Sequence, residues 1–413
     1  MGERWSEVMG RVANGRMNRK RNWIGLSLAL TCLLPACAAE APEVVEEPVS
    51  PEMVAALQTA IDSVANNTLI PGLTVGVALP DGRTVALAAG FSDTVARLPM
   101  RPEDRMLEGS VGKTYFGAVA LQLVGEGVLG LEEPLESYLG DEAWYAGVPN
   151  GADVTVRQLM NHTSGIVRYE FNPAFLEDLI ADPMRTFTPE DRLAYLRGMT
   201  PPFAAGEGWD YSDTNFILVA LAAEKQMGTQ IYDEIDTRLL EPLGLENTVR
   251  SDRPMVPGLA NGYAGPENPF GSYDATLDEN GALHFNPQFE WAGGGFASSA
   301  DDLAAWIRHV HEGRAFPASL LDQARTGIPA PLGPEATYGL GVIMMELPAG
   351  TAWGHSGFMP GYRTEAYYFP DFEFGLALQI NSSDGAAFDR PPLLLLSELA
   401  QIVAESLPAE PGM

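Results

Sequence analysis

Lysine is nearly missing from this chain: Lys20, Lys113 and Lys225 stand against twenty-two arginines. Arginine keeps its proton, whereas a lysine amine taken out of water can give it up. A lysine retained inside a motif therefore marks a place that needs an amine able to lose its proton. Cysteine is scarcer still, with Cys32 and Cys37 both near the N-terminus. The body of the chain is thus without disulfides, thiolate metal sites or a cysteine nucleophile. Positive charge is also in short supply, and the 413 residues carry a formal net charge of −30. Binding of nucleic acid needs clustered Lys and Arg, so that class of partner is argued against. What remains is an ordinary globular balance, 46% hydrophobic and 19% charged, in a chain long enough for one large domain or two joined ones.

The N-terminus reads as an address. Arg19-Lys20-Arg21 precedes an apolar run from Trp23 to Leu34, and Pro35-Ala36-Cys37 follows. A basic segment, a short apolar segment and small residues describe an export signal, and the run is short for a membrane span. Leu34-Pro35-Ala36-Cys37 resembles a bacterial lipobox, which would lipidate Cys37 and leave a periplasmic or membrane-anchored lipoprotein. Cleavage after Ala38 is the alternative, and Met17 is a second candidate start. We expect a signal segment over 1–37, an acidic, proline-rich tether over 38–52, one domain over 53–405 and a tail over 406–413.

Within the body, Val54, Leu57, Ile61 and Val64 recur at helical spacing. Leu73–Leu79 and Thr84–Ala89 flank Pro80-Asp81-Gly82-Arg83, a hairpin pattern. A helix is expected from Ser110 to about Gly125, and residues 150–290 read as a mostly helical insert with long loops. Strands return at Gly339–Met345, Ala352–Ser356, Arg363–Phe369 and Phe374–Ile380, and Leu393–Val403 closes as a helix. The expected layout is α/β (α+β): an antiparallel sheet assembled from both ends of the chain, flanked by helices, with a helical subdomain inserted.

Three motifs carry chemistry. In Ser110-Val111-Gly112-Lys113 the i, i+3 spacing brings an amine to the serine hydroxyl, and a helix start aims N–H groups at developing negative charge. Tyr211-Ser212-Asp213-Thr214-Asn215 offers a phenol whose pKa a neighbouring ammonium would depress, suited to moving protons. It also offers a helix N-cap at Ser212 or Asp213. Trp353-Gly354-His355-Ser356-Gly357-Phe358 is a glycine-bearing strand that a substrate can approach closely, with the Phe358 N–H placed to form an oxyanion hole with that of Ser110. Arg363 is positioned to clamp a substrate carboxylate or to serve as an ordinary strand arginine. His309 and His311 are read as a solvated face rather than a metal pair, and His162 as a structural residue. No metal or organic cofactor is called for.

In this order and spacing the motifs resemble those of the serine β-lactamase-related hydrolases: class C β-lactamases, D-alanyl-D-alanine carboxypeptidases and related esterases of the penicillin-binding-protein superfamily. Leu159–Gly165 and Gly293–Leu303 are similar to further family segments. The resemblance implies the β-lactamase/transpeptidase-like fold, Ser110 as nucleophile, Lys113 as its activator and Tyr211 as acid/base. It also implies substrate-binding and oxyanion roles around Asp213, His355, Ser356, Gly357 and Phe358, with Asp213 standing where many relatives have Asn and His355 where β-lactamases have Lys. The implied function is hydrolysis of an ester or D-amino-acid amide of a small molecule or peptide through an acyl-enzyme. β-Lactam hydrolysis is the alternative. A non-catalytic cell-wall-binding lipoprotein is the alternative of another class, and the intact Ser110, Lys113 and Tyr211 argue against it.

Overall fold

Serine and proline start the first helix. Ser50 accepts a hydrogen bond from the Met53 amide at 3.2 Å and Pro51 occupies the first turn of the helix Pro51–Asn67. The computed structural model describes residues 49–265, 275–333 and 335–408. The signal segment with Cys37, most of the 38–52 tether and the end of the tail lie outside the described residues. The first helix buries Met53, Leu57, Ile61 and Val64, so Met53 takes the inward place expected of Val54.

Twelve strands follow among the described residues. They are β1 Gly72–Ala78, β2 Thr84–Asp93, β3 Leu98–Pro99, β4 Met106–Leu107, β5 Val249–Arg250 and β6 Phe296–Ser298, then β7 Ile328–Pro329, β8 Thr337–Tyr338, β9 Ile343–Leu347, β10 Gly350–Met359, β11 Tyr362–Phe369 and β12 Phe374–Ile380. Nine form one antiparallel sheet in the order β3-β2-β1-β12-β11-β10-β9-β8-β7, and β4-β6-β5 form a small second one. The first and last parts of the chain meet where β1 pairs with β12 from Leu73 opposite Ile380 to Ala78 opposite Gly375. Both strands are buried along their whole length, and apart from Thr74 and Gln379 they read as apolar runs.

One face of the sheet is covered by Pro51–Asn67 and the C-terminal helix Pro392–Ser406, which pack Leu57, Ile61, Leu395 and Leu399 against Val75, Leu376 and Leu378. The other face receives the helix Ala300–His311. The expected strand Gly339–Met345 is broken, because Gly341 takes a φ of +82° and Gly339 donates back to the Val342 carbonyl at 2.8 Å. The pair β8 and β9 stands in its place. His311 is buried rather than solvated, with its ring stacked on Tyr368 at 5.7 Å.

Candidate active site

The nucleophile segment is two pieces rather than one helix: a 3-10 turn over Gly109–Gly112 and an α-helix over Lys113–Gly125. Glycine allows both walls of the site to close on this turn. A Cβ on Gly112 would lie 1.9 Å from the Gly294 carbonyl oxygen, and one on Gly357 of β10 would lie 1.8 Å from that of Glu108. The Phe358 peptide packs directly on Gly109, where a Cβ would meet its nitrogen at 2.6 Å. β10 pairs with β9 only through Gly354, while its pairing with β11 continues to Met359. The stretch from His355 to Phe358 thus presents an edge with no strand partner among the described residues.

Lys113 is 0% exposed, and its Nζ donates to Ser110 Oγ at 3.0 Å. It also donates to the Gly293 carbonyl and pairs with the Asp213 carboxylate. The Tyr211 ring lies 5.0 Å from Nζ. Burial, and then the Asp213 charge, push the Tyr211 phenol well above its ordinary pKa, with the nearby Ser110 hydroxyl opposing. The expected depression by an ammonium does not occur, because burial and the Asp213 charge outweigh it. Tyr211 therefore rests as a protonated phenol.

Asp213 is 4% exposed and lies beneath Lys113, not on the surface offered to substrate. One carboxylate oxygen meets Lys113 and the other meets Arg168. Burial alone would raise its pKa; the guanidinium and the ammonium overcome this and hold the carboxyl well below the usual range. Glu170 lies 3.6 Å from the same guanidinium, and burial beside Asp213 pushes its pKa well up, so it stays neutral. Ser212 stands at the N-cap of Asp213–Met227 but makes no capping bond, and its buried hydroxyl has no hydrogen-bond partner among the described residues. Its amide instead donates to His162 Nδ1 at 3.3 Å, and that nitrogen also lies 2.9 Å from Asn215 Nδ2. His162 thus ties the Tyr211 segment to the Leu159–Gly165 loop.

His355 is 1% exposed. Its Nε2 lies 3.0 Å from the Tyr338 hydroxyl and its Nδ1 lies 2.7 Å from the Ser356 carbonyl. Burial, helped by the Lys113 charge, takes its pKa down to about 3. The imidazole of the third motif is therefore neutral. The Ser356 hydroxyl is committed to Glu365 and, at 2.9 Å, to the Tyr367 hydroxyl. Arg363 lies opposite Phe358 across β10 and β11, its guanidinium 4.5 Å from a ring that is 48% exposed. Arg168, Glu170, Gly293 and Tyr338 were not singled out as site residues from the sequence. Only Gly293 had a signal, as the start of the glycine-rich segment.

The sheet, the flanking helices and the constellation at Ser110 define a β-lactamase/transpeptidase-like fold, and comparison with known proteins agrees. The Beta-lactamase family profile matches residues 57–400. The chain belongs to this family. It is 28% identical over 337 residues to a D-aminopeptidase of Brucella anthropi, a match covering 81% of this chain and 60% of that protein. The chain therefore spans well under two thirds of that relative's length. A crystal structure of a D-stereospecific amidohydrolase from Streptomyces sp. is 30% identical, with a TM-score of 0.69 over 79% of this chain and 94% of that one. The D-amino acid amidase of Ochrobactrum anthropi SV3, solved with L-phenylalanine amide, shares the fold at 22% identity, with a TM-score of 0.71 over 86% and 98% of the two chains.

Proposed function

We propose that the protein is a serine hydrolase that cleaves amides of D-amino acids through an acyl-enzyme on Ser110. The observation that carries this reading is the buried amine of Lys113 held 3.0 Å from the Ser110 hydroxyl, beside a protonated Tyr211 and the open edge of β10. The names of the Brucella and Streptomyces relatives supply the substrate class.

The Lys113 ammonium first gives up a proton to solvent; Ser110 Oγ then attacks the amide carbon while its own proton passes to the neutral Lys113 amine. The oxyanion that forms is met by the N–H groups of Ser110 and Phe358. The intermediate collapses, the C–N bond breaks, and the departing nitrogen takes the Tyr211 phenolic proton, which Lys113 replaces. Water then attacks the ester, giving its proton back along the same path, and the D-amino acid leaves. His355, being neutral, orients through Tyr338 and supplies no charge to the substrate.

The test is release of ammonia from D- and L-phenylalanine amide, with intact mass followed alongside. The reading expects turnover of the D form, a fluorophosphonate adduct on wild type, and neither in Ser110→Ala. No turnover of either amide, with steady consumption of benzylpenicillin, would replace it with a β-lactamase; an adduct on Ser110→Ala would remove Ser110 from the role. We further propose export and lipidation at Cys37, supported by the basic and apolar segments before it. Cys37→Ser is expected to move the protein from the membrane fraction to the soluble one, and unchanged fractionation would refute the anchor.

A further inference from the structure

A lysine that must accept a proton is poorly served by a carboxylate in direct contact, because opposite charge stabilises the ammonium. Asp213 is such a carboxylate, in direct contact with Lys113 Nζ. The structure holds a second cation against it: Arg168, three residues beyond Gly165, pairs with the Asp213 oxygen that Lys113 leaves free. The guanidinium also lies 5.6 Å from the Tyr211 ring.

We infer that Arg168 is a positioning residue that acts through Asp213: by taking up part of the carboxylate's charge, it leaves Lys113 free to give up and regain the proton of Ser110. The inference rests on the serine-hydrolase reading of Ser110 and Lys113.

The other groups around Lys113 do not take over this part. His162 and His355 are both neutral, their pKa values lowered first by burial. Glu170 is the neutral carboxyl behind Arg168. The ring of Phe216 lies 6.0 Å from Nζ and carries no charge. Tyr211 is a phenol at working pH. Glu290, held by burial at about 7, feels the charges of Lys113, Asp213 and Arg168, so each profile is also measured in a Glu290→Gln background, where its titration is removed.

The experiment is the rate of Ser110 labelling by a fluorophosphonate as a function of pH, which needs no knowledge of the substrate. In Arg168→Gln the full Asp213 charge falls on Lys113, and the acid limb of the profile is expected to move up by about one pH unit or more, with the alkaline plateau kept. That is roughly a tenfold loss of rate on the limb. Arg168→Lys keeps a cation and should stay near wild type. The double variant Arg168→Gln/Asp213→Asn removes both charges and should bring the limb back to wild type or below it. A loss equal at every pH in Arg168→Gln, or a double variant no better than the single one, would overturn the inference in favour of a packing role. If Arg168→Gln does not fold, Asp213→Asn alone decides: its limb should move down, and an unmoved limb overturns the inference. Absence of labelling in wild type would instead count against the hydrolase reading itself.

Discussion

The back of the sheet and the wall around Tyr211 are both buried, but they are held by opposite means. Behind the sheet, Leu57, Ile61, Leu395 and Leu399 meet strand residues through apolar contact alone. Around Tyr211, beside the Tyr338 and His355 rings, the buried side chains include Asn161, His162, Thr163, Ser164, Asp213, Thr214 and Asn215, joined by hydrogen bonds and ion pairs. Apolar contact is non-directional and tolerates exchange, whereas a buried polar network fixes orientation and leaves costly orphans when broken. The protein keeps the first kind for stability and the second for aiming Lys113 and Tyr211.

Substitutions should separate the two regions. The largest effect is expected where they meet: Gly357→Val drives a side chain into the Glu108 carbonyl and should cut activity about 100-fold or more, the scale of losing an oxyanion donor, measured as the rate of Ser110 labelling. Behind the sheet, Leu399→Ala should lower stability by about 2–5 kcal/mol in denaturant titration while leaving the labelling rate per folded molecule unchanged. A changed labelling rate there would erase the division between the regions.

Glu365 gives a pH-dependent version of the same comparison. Burial raises its pKa from 4.5 to about 7. Between those values the unfolded chain releases a proton that the folded one retains, so its contribution is complete below about 4.5 and lost as pH rises to 7. Relative to wild type, Glu365→Gln should gain stability across that window, at most about 1.4 kcal/mol per pH unit, and gain nothing more above it, as followed by thermal melting. The smallest effect is at the rim of the helical insert. Thr188 caps the helix Pro189–Ala194 through a reciprocal box with Asp191, and Thr188→Ala should cost about 1 kcal/mol with labelling unaffected.

The same contrast explains what the sequence made legible. Strands β1, β11 and β12 and the two back helices follow from apolar runs and periods, since each is shaped by where its own side chains go. Ser110, Lys113 and Tyr211 were found through local motifs. Arg168 and Asp213 are 45 positions apart and meet only after folding, so no spacing betrays their pairing. Likewise nothing in His355-Ser356-Gly357 tells that the imidazole is sealed beneath Tyr338 and uncharged. The break at Gly341 was hidden because its neighbours Leu340, Val342 and Ile343 are all apolar.

The turn that carries Ser110 is gripped by glycine contacts on two sides, Gly112 against Gly294 and Gly357 against Glu108. A cleft built in this way has no play at its centre: any hinge that widened it would drag the serine out of line with its amine. A change of substrate range is therefore expected from side chains at the rim, such as the half-exposed Phe358 ring, rather than from the turn itself.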